Sequence, residues 1–430
     1  MPLPRDDRRT ITAWCFYDWA NSAFTTLIVT FVYATYFTKA IAPDEVSGTT
    51  WWSRAVSITA LVVAFSGPVL GAMADRGGYR RRFLALTTLA CVITTAALTF
   101  VAPGQPHAVL TALILVTIAN IAFELGGVFY NAFLPDIVSS KHLGRVSGYG
   151  WGLGYVGGLL CLVIALVGFV QPEVPWFGVT KTAGFNIRAT CLVVAVWFGV
   201  FSLPLLIAAR GESRPEPGGS AGVRAALAEI RRAFGQVRQY RDAARLLVAR
   251  LFYNDGLNTI FSFGGIYAAG TFGMSFRDIL VFGIVLNVAA GLGAFAFGFV
   301  DDRIGGKRTI LFSVVALAGA TALAVWAPNR TWLWVAGVAI GLFAGPNQSA
   351  SRSLLGRFVP DGHENEFFGF FAFTGKLASF AGPFLLGTFT HLFATQRAGI
   401  ATILVFFVVG GLLLLAVDEK RGIAAATGTP

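Results

Sequence analysis

The chain has 430 residues, of which 55% are hydrophobic and 13% charged, and its mean hydropathy is +0.68. Globular domains carry roughly 25% charged residues, so the composition excludes an ordinary soluble domain and indicates a polytopic membrane protein. The net charge of +11 comes without an aromatic-interleaved basic patch, and no nucleic-acid partner is expected.

Apolar runs fall at about 13–38, 51–74, 83–102, 108–134, 145–170, 185–209, 246–272, 278–300, 309–327, 331–357, 367–393 and 397–416. They are numbered here as spans 1 to 12. Each reaches or approaches the roughly 20 residues a helix needs to cross a bilayer, and such continuous runs argue for helices rather than a barrel. The expected fold class is an all-α integral membrane protein with twelve transmembrane helices. With both termini inside, 24 of the 33 Lys and Arg fall in inner segments and 7 in outer loops, so the positive-inside rule places both ends in the cytoplasm. MPLPRDDRRT leads into a full-length span without a small-residue cleavage site, so no removable signal peptide is expected. Cys15, Cys91, Cys161 and Cys191 all lie in spans and the four His are dispersed. No disulfide, metal or cofactor is expected.

Span 1, WCFYDWANSAFTTLIVTFVYATYF, carries Asp18, Asn21, Ser22 and Thr25 at i, i+3, i+4 and i+7. A carboxylate, an amide and two hydroxyls therefore share one helical face, which is costly against lipid and should face a bundle interior or a water-filled path. Span 7 repeats the device with Asp255, Asn258, Thr259 and Ser262. Two such stripes imply two pseudo-symmetric halves.

Span 2 ends in GAMADRGGYRRR and span 8 in GFVDDRIGGKR. At an offset of 227, Gly71, Asp75, Arg76, Gly78, Arg80 and Arg81 align with Gly298, Asp302, Arg303, Gly305, Lys307 and Arg308. This duplicated Gly-x-x-x-Asp-Arg-x-Gly-x-basic-basic pattern resembles the loop signature of the major facilitator superfamily. The resemblance implies two six-helix bundles, with Gly71 admitting span 11 beside span 2. It also implies that the Asp sits against a partner helix N-terminus and nearby Arg residues when the cytoplasmic side is closed. A carboxylate at a helix C-terminus is repelled by the dipole and gains from a neighbouring positive end. Gly71, Asp75, Arg76, Arg80, Gly298, Asp302, Arg303 and Lys307 are the expected gating residues; the plain alternative is a loop that only sets topology.

Span 4 places Asn120, Glu124 and Asn131 on roughly one face. Glu124 lies about eleven residues, some 16 Å, from the end near Pro135, close to mid-membrane, where an ionisable group is a functional candidate. Gly150, Gly154 and Gly158 in span 5 form a ridge for close helix approach. RGESRPEPGGSAG, 210–222, reads as a linker, and Val223, Leu227, Ile230, Phe234 and Val237 against five Arg predict an amphipathic helix on the inner leaflet. The boundaries follow: an N-terminal bundle over 1–209, a linker over 210–244, a C-terminal bundle over 245–418 and a tail over 419–430.

In span 10, Pro346 should kink or open the helix where Asn347 and Gln348 follow. Free backbone groups and amides there can hold a polar ligand. Arg352 lies at a depth similar to Asp18 and Asp255, within reach of pairing, and joins the gating set. Span 11 brings Lys376 level with Glu124.

FYDWANSAF, FYNDGLNT, NQSASRSLL and FFGFFAFTGK resemble the vacuolar amino-acid effluxer branch of the superfamily and its bacterial relatives. The resemblance implies a secondary transporter in the cell inner membrane, moving amino acids or related small polar solutes by alternating access. Asp18, Asn21, Ser22, Thr25, Asn120, Glu124, Asp255, Asn258, Thr259, Asn347, Gln348 and Lys376 are the substrate-contact candidates, and Glu124 the proton-coupling candidate. Passive facilitation stays open beside proton coupling. So do a sugar or organic-anion facilitator of the same fold and a transport-dead receptor or scaffold. No nucleophile and base pair, metal cluster or phosphate loop suggests an enzyme. The expected partners are the solute, protons if coupled, and the bilayer, with the chain acting as a monomer.

Overall fold

The computed structural model describes residues 6–209, 240–377 and 381–428, so the amphipathic helix expected over 223–237 lies outside the described residues. The described residues form helices and no strands. In chain order these are α1 (Arg8–Ile41), α2 (Glu45–Gly77), α3 (Arg80–Phe100), α4 (Ala108–Ile137), α5 (Leu143–Val170), α6 (Phe185–Ala208) and α7 (Arg241–Phe272). They continue with α8 (Phe276–Ile304), α9 (Gly306–Trp326), α10 (Arg330–Phe358), α11 (Glu364–Leu377), α12 (Ala381–Phe393), α13 (Gln396–Leu415) and the short α14 (Glu419–Thr427).

Ten of the membrane-length stretches are apolar enough to cross a bilayer, with α11 and α12 forming one of them over Glu364–Phe393. The other two long helices, α7 with 32 residues and α10 with 29, fall below that hydropathy. Asn254, Asp255 and Asn258 on α7 and Asn347, Gln348 and Arg352 on α10 lower it, so polarity rather than length sets them apart.

The packing follows one scheme twice. α1 lies against α5 and α6, α2 against α4, and α3 against both α4 and α6. In the second set α7 lies against α11 and α13, α8 against α10, and α9 against both α10 and α13. The sets meet chiefly along α2 with α11 and α5 with α8. Close approach at these seams requires glycine. A Cβ on Gly71 would fall 2.3 Å from the Asn365 carbonyl oxygen, and one on Gly148 would fall 2.4 Å from that of Ala294. The core holds the stacked rings of Trp14, Tyr17 and Tyr130, with centroids 4.6 and 4.8 Å apart. Large apolar side chains such as Leu61, Phe65, Leu86, Val315 and Leu412 are instead exposed on the perimeter, the surface expected of a protein solvated by lipid. α1 widens into π-helix over Phe24–Phe31, and Thr25, Thr26 and Thr30 of that stretch face a central cavity.

Candidate functional site between the two helix sets

Both described termini lie at one end of the bundle: Asp6 accepts from the Ser139 amide at 3.1 Å, and the first turn of α14 caps α9 through Glu419. The two sets are locked together at this termini end. Asp75 Oδ1 accepts from the Asn365 amide at 3.1 Å and from its side-chain amide at 2.6 Å, while Oδ2 accepts from the Glu366 amide at 2.8 Å. Asp302 accepts from the Gly144 and Arg145 amides at 2.8 and 3.3 Å and from Arg145 Nε at 2.6 Å. Each carboxylate thus leaves the C-terminus of its own helix and neutralises unsatisfied N–H groups opening a helix of the other set.

The basic loop residues do different work. Arg80 is buried, donates to the Ala132 carbonyl at 2.7 Å, pairs with Asp136 and lies over the Phe133 ring. Lys307 Nζ donates to the Leu415 carbonyl at 2.9 Å, satisfying the end of α13. Arg303 is exposed, and Arg76 has an interaction partner. Gly298 is a contact point, its virtual Cβ 2.9 Å from Arg145 Cα. Two strong members of this lock, Asp301 and Arg357, lie outside the duplicated sequence pattern. Asp301 is buried, pairs with Arg357 at 2.7 Å and accepts from the Ser353 hydroxyl, and Arg357 also reaches Asp302 at 3.5 Å. The signal was available in the Asp301–Asp302 doublet, of which the repeat alignment marks only the second.

Above this lock sits Arg352, buried on α10. Its Nη1 donates to Asp18 Oδ2 at 2.9 Å and Asn131 Oδ1 at 3.2 Å, its Nε to Ser147 Oγ at 2.9 Å and its Nη2 to the Ser147 carbonyl at 2.7 Å. The guanidinium lies 4.7 Å from the Trp14 ring centroid. One cation from the second set thereby holds α1, α4 and α5 of the first. The glycine ridge of α5 seats α1 beside it, with virtual Cβ atoms of Gly150 and Gly154 2.6 and 2.8 Å from Asp18 Oδ2 and Ser22 Oγ.

Farther from the termini, Lys376 Nζ donates to Glu124 Oε1 at 2.6 Å, joining α11 to α4, with side chains 28% and 23% exposed. Asn120 is buried one turn earlier on α4. Gln348 Nε2 donates to Asn254 Oδ1 at 3.0 Å, which adds Asn254 to the candidate set. Asn347 turns away from this group, buried and donating to Ser313 Oγ on α9 at 3.2 Å. Asp255 is 1% exposed; it accepts from the Gly382 amide at 2.8 Å and from Thr259 Oγ1 at 3.4 Å, and forms no ion pair among the described residues. Asn21 and Asn258 are partly buried. Ser22 and Thr25 return hydrogen bonds to the α1 backbone at 2.8 and 3.1 Å while lining the cavity. That cavity, about 620 Å³, lies between α1, α5, α7 and α8 and is also lined by Trp151, Tyr155, Ser262 and Asn287. Its size suits a small molecule. Among the described residues no His, Cys, Asp and Glu group could hold a metal ion.

Comparison with known proteins places this geometry. Residues 39–427 match the family described as Vacuole effluxer Atg22 like. The chain is 29% identical over 413 residues to the uncharacterized MFS-type transporter YxiO of Bacillus subtilis (strain 168), covering 95% of this chain and 94% of the relative. It is 23% identical over 443 residues to autophagy-related protein 22 of Coccidioides immitis (strain RS), covering 85% and 72%. Among solved structures it resembles the proton:xylose symporter XylE with TM-score 0.72, 14% identity and 96% of each chain covered. It also resembles an outward-facing bacterial homologue of the iron transporter ferroportin, with TM-score 0.70, 11% identity and 95% and 98% covered; at such identities the likeness establishes the fold. A duplicated helix scheme, locked at one end by Asp75 and Asp302, is thus the frame of a major facilitator superfamily transporter, and the chain belongs to the Vacuole effluxer Atg22 like family.

Proposed function

We propose that this transporter moves a small polar solute, an amino acid or a close relative, by alternating access between two six-helix bundles spanning 1–209 and 245–418. The count of twelve helices follows from adding α7 and α10 to the ten apolar spans, since helices whose polar faces turn into the bundle need not be apolar all round. Segment 210–244 joins the bundles, and both termini and the tail lie on the cytoplasmic side of the inner membrane, as the Lys and Arg bias favours. The closed termini end then makes the present arrangement outward-facing.

The observation that carries the reading is the Glu124–Lys376 pair. It joins the two bundles, and each side chain keeps about a quarter of its surface accessible. An amino acid offers an ammonium to Glu124 and a carboxylate to Lys376, replacing one pairing with two and drawing the bundles together. Asn254 and Gln348 supply neutral hydrogen-bonding groups on α7 and α10. Thermal-shift screening of the purified protein against amino acids, sugars and organic acids tests the substrate class, because a ligand that binds the folded state raises its apparent stability. Stabilisation by amino acids that vanishes in Glu124→Gln and Lys376→Ala supports it; stabilisation by sugars alone would replace it.

For proton coupling, two carboxylates compete. Glu124 stands between the bundles, about a quarter exposed and paired with Lys376. Asp255 is buried without a cationic partner among the described residues, so no ion pair offsets the cost of burying its charge. Asp255 is therefore the second candidate for the coupled proton.

A further inference from the structure

We propose that the lateral groove over α5 binds one anionic phospholipid, its acyl chain laid between α1 and α8 and its phosphate held by Arg8 and Arg145. The groove encloses about 810 Å³ and is walled by apolar side chains that include Ile11 on α1, Leu153 and Val156 on α5, and Val288, Leu292 and Phe295 on α8. Val156 and Leu292 are 53% and 63% exposed, so the groove opens on the lipid-facing perimeter. It follows α5 from Arg145 to Leu159, about 21 Å at 1.5 Å per residue, which exceeds the half-thickness of about 15 Å of a hydrocarbon core. An acyl chain from one leaflet fits along it. Water gains little against such walls, and a bilayer supplies chains to fill them.

The charged groups are gathered at one end. Asp6, Arg8, Thr12, His142 and Arg145 line the mouth nearest the termini. The one carboxylate among them is already engaged, since Asp6 Oδ1 accepts from the Ser139 amide at 3.1 Å and lies 3.3 Å from His142 Nδ1. Arg145 uses Nε on Asp302, and among the described residues neither its terminal nitrogens nor the guanidinium of Arg8 has a hydrogen-bonded partner. Two guanidinium groups at the mouth of an apolar slot match a phosphate on an acyl chain. The site's orientation rests on the proposed topology, which puts this mouth at the anionic cytoplasmic leaflet.

The site has a conformational consequence. Its walls come from both bundles, α1 and α5 from one and α8 from the other, and Arg145 belongs to the lock with Asp302. The groove is complete only while α5 packs on α8, so the bound lipid favours closure of the termini end.

Native mass spectrometry of the purified full chain, titrated separately with phosphatidylglycerol and phosphatidylcholine, tests the site. One phosphatidylglycerol should be retained about tenfold more tightly than phosphatidylcholine. Arg8→Gln, at an exposed position outside the lock, should remove that preference, about 1.4 kcal/mol. Val156→Trp, which fills the slot, should weaken both lipids, and Leu292→Trp serves if that variant fails to fold. Equal retention of the two lipids by the wild type, or phosphatidylglycerol binding unchanged by the arginine and tryptophan variants, overturns the proposal. The readout is lipid mass, so a failed transport reading does not affect it.

Discussion

Arg352 on α10 and Asp18 on α1 stand 2.9 Å apart with side chains 4% and 14% exposed, joining helices 334 positions apart in sequence. Removing one partner of such a pair leaves a buried charge, at a cost of about 3–5 kcal/mol. Arg352→Met should therefore lower the melting temperature sharply, and Asp18→Asn, which keeps a hydrogen-bonding group, less so. The double variant Asp18→Asn with Arg352→Met should recover part of the loss. Additive effects in this cycle would show that the pair does not couple the bundles.

Asp75→Asn should weaken the cap on α11 and shift the population toward the state open at the termini end. A change of about 1.4 kcal/mol between states moves their ratio tenfold. Gly71→Leu should act in the same direction, since its side chain would meet the Asn365 backbone. Accessibility of single cysteines introduced on the two sides of the cavity measures the shift. Patterns identical to the wild type would leave this loop with a topological role only.

His363, in the loop before α11, lies 3.2 Å from Glu366 Oε2, and this bond pushes its pKa above 6.5 although burial opposes the shift. The proton is held more tightly in the folded protein, so its stabilisation is fully present below about pH 6.5 and is lost as pH rises through the raised folded value. Glu366 sits in the turn that Asp75 caps, so the termini end should loosen with rising pH. Melting temperatures of the wild type and His363→Gln should differ more at about pH 5.5 than at about pH 8.5. A difference that does not change with pH contradicts this.

Glu124→Gln and Asp255→Asn separate the two proton candidates. The variant that removes the coupled proton should keep exchange of solute between equal pools but lose accumulation driven by a pH gradient. Gradient-driven accumulation in both variants would assign coupling elsewhere or leave facilitation.

Much of this arrangement was legible in the sequence. Asp75 and Asp302 announced themselves through duplication with their glycines, and Glu124 and Lys376 through their similar depth, although the contact between them is seen only in the structure. Asp301, Arg357 and Ser147 stand outside the pattern the two halves share, and their partners are set by tertiary packing: Asp301 meets Arg357 within the second bundle, 56 positions away, and Ser147 meets Arg352 across the seam, 205 positions away. Helical periodicity reports a residue's face but not which helix lies opposite. Asn347 shows the same limit, since it shares its polar run with Gln348 yet points to Ser313.

Uptake of radiolabelled amino acid into proteoliposomes, comparing wild type with Glu124→Gln and Lys376→Ala, tests the central claim most directly. The account predicts saturable, counterflow-competent uptake by the wild type and loss of at least tenfold in either variant, with both variants folded by melting profile. Wild-type uptake in both, or no uptake of any polar solute by folded wild type, would contradict it.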